Sequence, residues 1–339
     1  MDQSEPQKPK YSSETVPIID FGPYLAGEPG ALGLLDDAAV LSLDAGSELV
    51  VTADALIAGV HFRLHDAPGH VAQKALRVNL SDLAAKGASP RGYLMTLALG
   101  PSNDEAWIAA FANGLAQDQQ RFSIPLLGGD TVATPGPAAI SITALGLAPK
   151  GRALKRSAAR AGDDVYVSGT IGDGYLGLSA KTPRFALLDA ADRLALGQRY
   201  LVPEPRIGLG VALGKAGVAH ASADVSDGLV ADLGHICTAS RLDATIAAAC
   251  VPLSAAAGRA LAAGLAGLEQ LLCGGDDYEI VFTAPPAAQP EIERLAAAEG
   301  VAVRRIGRME ACRGAQPAVQ VTGPEGRPMI LAKSGFAHF

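Results

Sequence analysis

Leu49-Val50-Val51-Thr52-Ala53-Asp54 is the stretch on which the reading of this chain turns. An apolar, β-branched run of this kind predicts a buried strand, and here it leads directly into an aspartate. Residues 71–86 follow with Ala75, Leu76, Leu80 and Leu83 on one side, the spacing of a helix with an apolar face. The pattern then repeats. Residues 93–99 read as a strand, 104–121 as a helix opened by Ser102 or Asn103, and 124–127 and 139–148 as two further strands. This alternating order predicts an α/β first half.

A Gly-containing basic stretch, residues 150–160, separates that half from the next strand at 164–168, so a domain boundary is expected near Lys150. Beyond it come a Gly-rich turn at 169–174, helices at 206–216 and 227–240, and a strand at 278–283. The mixed order predicts α+β packing there. The chain of 339 residues suits two domains, each of roughly 150 residues.

The strand ending at Asp54 is one of five similar places. Leu35-Asp36-Asp37, Asn79-Leu80-Ser81-Asp82, Gly128-Gly129-Asp130 and Asp224-Val225-Ser226-Asp227 also put aspartate at the end of an apolar element. Taken singly, each is ordinarily a solvated turn or a helix cap. Their repetition favours a shared purpose, because carboxylates drawn to one place bind hard cations. Mg²⁺ accepts such oxygen ligands and completes its shell with water and substrate phosphates.

Composition narrows the alternatives. Lys and Arg number 28 against 35 Asp and Glu, for a net charge of −7, and no basic run marks a nucleic-acid footprint. Gly, Pro and charged residues interrupt every apolar stretch before the ~18–20 residues of a membrane span. Residues 1–17 lack the apolar core of a secretory signal and are expected to form a disordered tail. Cys237, Cys250, Cys273 and Cys312 show no Cys-x-x-Cys pairing, which suits a reducing cytoplasm and argues against zinc.

Familiar phosphate-binding signatures are absent: there is no Gly-x4-Gly-Lys-Ser/Thr, no Gly-x-Gly-x-x-Gly after a strand, and no His-Arg-Asp. Gly208, Gly210 and Gly214 superficially suggest a loop, but their apolar spacing favours a packed helix. The turn at 169–174 reads either as a phosphate cradle or as a tight turn. Arg152, Lys155 and Arg156 read either as a polyphosphate clamp or as a solvated face. His61, just past the first strand, is either a ligand contact or a half-buried structural histidine. Glu279 reads as an edge-strand residue without a catalytic role. No Ser-His-Asp or Cys-His arrangement stands out by spacing.

Together these segments resemble the thiamine-monophosphate kinase family of the aminoimidazole-ribonucleotide-synthetase-like superfamily. The resemblance is carried by Asp36-Asp37-Ala-Ala-Val, Thr52-Ala-Asp54 through His61-Phe62, Lys74 through Asp82-Leu-Ala-Ala, Gly128-Gly-Asp130-Thr, Gly151 through Arg156, Asp224-Val-Ser-Asp227-Gly-Leu, Gly274-Gly-Asp276-Asp-Tyr-Glu, and Gly335-Phe-Ala-His-Phe339. It implies a two-domain PurM-like fold: an N-terminal α/β domain over 18–149 whose sheet forms a homodimer, and a C-terminal α+β domain over 150–339. It implies transfer of the γ-phosphoryl group of ATP to thiamine monophosphate, with Mg²⁺ as cofactor, in a cytoplasmic enzyme.

Position by position, the resemblance implies Mg²⁺ ligands at Asp37, Thr52, Asp54, Asp82, Asp130, Asp224 and Asp227, with Ala53 offering its backbone carbonyl. Gly129, Asp130, Arg156 and Ser226 correspond to ATP contacts, and His61, Asp276 and Phe336 to contacts with thiamine monophosphate. No side chain beyond the metal ligands is implied as catalytic. Asp276 stands where the family usually has Glu, and Phe336 where it usually has Tyr or Trp. Leu35 replaces a usual Gly, Ala337 a usual Asp, and Val132-Ala133 a more polar stretch. Other superfamily members, such as selenophosphate synthetase and the hydrogenase-maturation carbamoyl-dehydrating protein, fit less well, because those use a cysteine near the N-terminus or at the end of the chain. A catalytically silent nucleotide-binding protein is the alternative from outside enzymology.

Overall fold

In the computed structural model, residue 41 and residues 43–336 are described. The 1–17 tail and the Asp36-Asp37 pair lie outside them. The first half forms a four-stranded sheet from β1 (Ser47–Ile57), β2 (Ser89–Leu99), β3 (Leu126–Ala133) and β4 (Ala139–Pro149), in the order β1-β4-β2-β3. β4 runs antiparallel to both of its neighbours, and β2 and β3 are parallel.

Two helices, α1 (Pro68–Ala85) and α2 (Glu105–Phe122), belong to this half. Leu56, Met95, Leu97, Ile140 and Ile142 share one core with Ala72, Ala75 and Leu76 of α1 and Phe111 and Leu115 of α2. The other side of the sheet carries no such cover among the described residues. The expectation of a buried strand at 49–52 therefore fails. β1 alternates, with Leu49 42 % and Val51 56 % exposed and Leu56 buried. An apolar run alone cannot separate a strand buried on both faces from one whose second face is open.

The N-cap of α2 is Asp104, one residue after Asn103 and two after Ser102. Asp104 accepts the Trp107 N–H at 2.8 Å, while the Asn103 side chain accepts the Gly100 N–H at 2.9 Å. The helix thus takes the carboxylate cap, which also suits the positive end of its dipole.

The second half forms a mixed six-stranded sheet from β5 (Asp164–Ser168), β6 (Ala221–Asp224), β7 (Leu242–Ala247), β8 (Ile280–Ala284), β9 (Val303–Ala311) and β10 (Val319–Thr322), in the order β10-β7-β9-β5-β8-β6. Around it lie α3 (Asp173–Ser179), α4 (Ala190–Leu201), α5 (Ile207–Ala216) and α6 (Leu229–Ser240), followed by shorter helices.

α1 joins the halves. Its Ala84 shares a cluster with Leu209 and Leu213 of α5. A Cβ at Gly210 would sit 1.9 Å from the Ala84 carbonyl oxygen. The glycines that suggested a loop are thus inside a helix, where they permit close backbone approach at a cost of about 1 kcal/mol each in helix propensity.

Candidate active site

Where the two halves meet, four aspartates converge. Asp54 lies on the core-facing side of β1. Asp82 lies near the end of α1, Asp224 ends β6, and Asp227 follows in the turn before α6. Direct bonds fix three of these positions. Asn79, one turn before Asp82 on α1, accepts the Asp54 N–H at 3.1 Å. The Thr52 hydroxyl donates to Asp82 Oδ2 at 2.5 Å. The Ser81 hydroxyl donates to Asp224 Oδ2 at 3.0 Å across the two halves. The Asn79-x-Ser81-Asp82 spacing thus lets one helix touch both neighbouring elements.

Burial and mutual repulsion act on these carboxyls together. Burial first, then the charges of Asp82 and Asp227, push the Asp54 carboxyl up to about 6. Burial also raises Asp224 well above the carboxylate range, with Asp82, Asp232 and Asp54 adding to it. Anionic groups that repel in this way favour a cation between them. These four carboxyl groups offer hard oxygens, the donor type that suits Mg²⁺.

Asp232 was not singled out from the sequence. It lies in the first turn of α6, nearly sealed from solvent. Its Oδ2 accepts the N–H groups of both Ser226 and Asp227 at 3.0 Å. Burial raises its carboxyl to about 7. Asp227, Asp232 and His235 bring one ligand atom each within 4.8 Å of one another. A carboxylate five residues after Asp227, in the first turn of a helix, is the signal that could have found it.

The cationic side is Arg156, in a 3₁₀ turn at Arg156–Ala158, and Lys86, the C-cap of α1. The buried Arg156 Nε has no hydrogen-bond partner among the described residues. Burial, with the Arg156 charge next, lowers the Lys86 amine, and Asp224 and Asp82 oppose this.

The other end of the site is built on the 274–279 loop. Asp276 and Tyr278 take left-handed φ values of 70° and 52°, uncommon for residues with side chains. Two backbone bonds tie this loop to the aspartate turn: Asp276 N–H to the Ser226 carbonyl and Tyr278 N–H to the Val225 carbonyl, both 2.8 Å. Tyr278 feels the charges of Asp276, Asp54, Asp224 and Asp227 together.

Asp277 and Glu279 are turned inward instead. Asp277 accepts the N–H groups of Gly172 and Gly174 at 2.7 and 2.9 Å. The turn at 169–174 thus receives a carboxyl group of the same chain, which burial raises well above its ordinary value while the two N–H groups oppose this. Glu279 is buried between Arg199, Arg206 and the Ser168 hydroxyl. The edge-strand reading of Glu279 is therefore corrected: two guanidinium groups compensate its burial.

His61 joins this end. Its Nδ1 accepts the Ile57 N–H at 3.0 Å, and its carbonyl accepts from Lys74 Nζ at 3.2 Å. Lys74 Nζ also pairs with Asp276 Oδ1 at 2.9 Å. The Phe336 N–H donates to the Asp227 carbonyl at 3.0 Å, so the C-terminal segment is tied to the aspartate turn.

Two expected residues, Asp130 and Gly129, stand apart from this convergence. Both lie on β3, the edge strand opposite β1. Three interstrand steps of about 4.8 Å separate these edges. Asp130 is paired in register with Thr96 and exposed. Ala53 points to the open face of β1, opposite Thr143 of β4.

Comparison with known proteins gives this geometry a family. Residues 35–148 match the family described as AIR synthase related protein, N-terminal domain, and residues 160–320 match the corresponding C-terminal domain. The thiamine-monophosphate kinase of Caulobacter vibrioides is 44 % identical over 93 % of this chain and 88 % of its own length. The crystal structure of thiamine-monophosphate kinase from Stenotrophomonas maltophilia superposes with a TM-score of 0.75 at 39 % identity, covering 87 % of this chain and 91 % of that one. A structure of AaThiL complexed with AMPPCP and TMP gives a TM-score of 0.74 at 31 % identity, with coverage of 90 % and 91 %. With its two AIR-synthase-type domains, the chain belongs to the thiamine-monophosphate kinase family and is a kinase.

Proposed function

We propose that this enzyme transfers the γ-phosphoryl group of ATP directly to the phosphate of thiamine monophosphate. The products are thiamine diphosphate and ADP, and the reaction is the last step of thiamine diphosphate biosynthesis. The observation that carries the reading is the convergence of Asp54, Asp82, Asp224 and Asp227 from both halves. The AaThiL complex with AMPPCP and TMP supports the choice of substrates.

Mg²⁺, when bound, would neutralise the phosphate oxygens and hold the two anionic groups together. Asp54, Asp82, Asp224 and Asp227 would hold it, with Thr52 and the Ala53 carbonyl at the strand and Asp130 from β3; Asp37 is assigned to Mg²⁺ by the resemblance alone. Arg156, whose Nε lacks a partner among the described residues, would meet the ATP phosphates, as would Ser226 and Gly129. His61, Asp276 and Phe336 would hold thiamine monophosphate, Phe336 through its ring. No general base is needed, because a phosphate monoester is largely ionised at neutral pH, with a second pKa of about 6. A side chain poised for proton transfer is thus not required of this site.

In this reading residues 18–149 form the ATP- and Mg²⁺-binding domain and 150–339 the C-terminal domain. The open sheet face, with Leu49, Val51 and Leu94 exposed, supports a homodimer that pairs through it. No helix among the described residues is long and apolar enough to cross a membrane. This accords with a cytoplasmic enzyme.

The test is product analysis by chromatography and mass spectrometry after incubation with thiamine monophosphate, ATP and Mg²⁺. The expected result is thiamine diphosphate and ADP in equal amounts, abolished by EDTA. ADP without thiamine diphosphate would assign another acceptor. ATP binding without either product would favour the catalytically silent alternative.

A further inference from the structure

Lys74, which meets His61 and Asp276 at the acceptor end, has been given no role in the proposed function, yet it is a charged side chain with only 3 % of its surface exposed. It lies on α1, two turns before Asp82, among apolar neighbours. A buried ammonium is costly unless its donors are all met. Here they are met from three directions. Nζ is 2.9 Å from Asp276 Oδ1, 3.2 Å from the His61 carbonyl oxygen, and 3.7 Å from the centroid of the Tyr200 ring. The ring face supplies the third contact as a cation–π interaction.

These partners come from three separate elements. His61 belongs to the segment between β1 and α1, Asp276 to the 274–279 loop of the second half, and Tyr200 to α4. The Tyr200 hydroxyl reaches the same His61 carbonyl at 3.4 Å. Arg63 also lies over the Tyr200 ring, 4.9 Å from its centroid, and is itself paired with the buried Asp66. One ammonium therefore sets the distance between His61 and Asp276, which no covalent neighbour fixes.

We propose that Lys74 is a positioning residue for the acceptor: its ammonium registers the His61 segment of one half against the Asp276 loop of the other. The inference rests on the reading that these two residues hold thiamine monophosphate. Asp276 is 30 % exposed and has a left-handed backbone, a conformation that persists only where surrounding contacts impose it. The Lys74 pair is one such contact, alongside the Asp276 N–H bond to Ser226. Without the charge at Lys74, the Asp276 carboxylate would be free to swing toward water, and the two acceptor contacts would lose their spacing. Lys74 itself has no donor left for substrate.

The experiment is steady-state kinetics of Lys74→Met, Lys74→Gln, Asp276→Asn and the Lys74→Met/Asp276→Asn double variant, with each substrate varied in turn. Turnover of thiamine monophosphate by the unmodified enzyme is measured first, and its absence would refute the functional reading and not this one. Given turnover, Lys74→Met should raise KM for thiamine monophosphate tenfold or more while KM for ATP stays within twofold. Lys74→Gln, which keeps much of the stem and two donors, should show a smaller rise in the same parameter, and it carries the test if Lys74→Met does not fold. The double variant should be no worse than the poorer single variant, because both changes break one pair. An unchanged KM for thiamine monophosphate in Lys74→Gln, equal losses for both substrates, or penalties that multiply in the double variant would overturn the proposal.

Discussion

Asp54, Asp82, Asp224 and Asp227 repel one another, and none of them forms an ion pair with a Lys or Arg among the described residues. Asp276, at the other end of the same site, is neutralised by Lys74, and the Asp277 and Glu279 carboxylates of its loop are met by backbone N–H groups and by arginines. The first region keeps its charge unsatisfied and the second is complete within the chain. On the proposed function the difference teaches which part depends on a ligand: the aspartate cluster would take up cations, whereas the loop proposed for the acceptor has its carboxylates met within the chain. Loss of a carboxylate in the first region should therefore act through metal, and loss of a contact in the second through substrate geometry.

The largest effect expected from this contrast is at Asp54. Asp54→Asn keeps the size and the backbone bond to Asn79 but removes the charge. Turnover at limiting Mg²⁺ should fall by about a hundredfold or more, the scale of removing one group that acts on transition-state charge. Partial recovery at high Mg²⁺ is expected, and rates near those of the unmodified enzyme at limiting Mg²⁺ would remove Asp54 from the metal site. Asp130→Asn sharpens the comparison. Its position on the far edge strand predicts a smaller loss. A loss equal to that of Asp54→Asn would mean that Asp130 acts on the same ions, which this distance allows only through a second subunit.

How far the sequence disclosed this division depends on what each region needs. The convergence of Asp54, Asp82, Asp224 and Asp227 was legible because each is an aspartate at or near the end of an element, and local pattern reports both. Element positions were legible for the same reason: α1, β4, β5 and α5 lie within a few residues of the spans that spacing predicts. The open face of β1 was not, because apolar residues facing solvent or a partner look like core residues. Asp277, Glu279 and Asp232 were misread or passed over for other reasons. The partners of Asp277 and Glu279 lie 103–105 and 73–111 residues away, and only the fold says what such a carboxyl faces, whereas the partners of Asp232 are 5–6 residues away and its signal was local. The resemblance named His61 and Asp276, yet the buried cation joining them lies on a helix whose spacing showed only its apolar face.

A middle-sized effect is expected at Asp232, which belongs to neither class: its charge is buried, and two backbone N–H groups compensate it. Asp232→Ala should leave the Ser226 and Asp227 N–H groups without an acceptor, at about 1–3 kcal/mol of stability for a buried unsatisfied group. The apparent affinity for Mg²⁺ should weaken about tenfold, the lower end of what supporting residues of metal sites contribute. Asp232→Asn retains an acceptor oxygen and should recover most of both. If alanine and asparagine behave alike, the carboxylate charge, and not the hydrogen-bond geometry, holds the turn.

The smallest effect is also the most direct measure of the unsatisfied charge. In the folded, metal-free protein the Asp54 carboxyl is raised to about 6 and that of Asp232 to about 7, from an ordinary value of 3.8. Between pH 4 and pH 7 the folded state consequently binds protons that the unfolded chain has already released. By linkage, each such group makes stability fall as pH rises through that window, and the loss is complete once the folded-state value is passed. In EDTA the Tm should decline from pH 5 to pH 8, and Asp54→Asn should remove part of that decline. Mg²⁺ should flatten it as well, since a cation among the carboxylates removes their reason to hold a proton. Asp277 of the 274–279 loop, whose carboxyl is also raised by burial, adds a slope of the same sign that neither Mg²⁺ nor Asp54→Asn should remove. A decline in EDTA that neither Mg²⁺ nor Asp54→Asn reduces would locate the strain outside the aspartate cluster, and the contrast between the two regions would fail at its root.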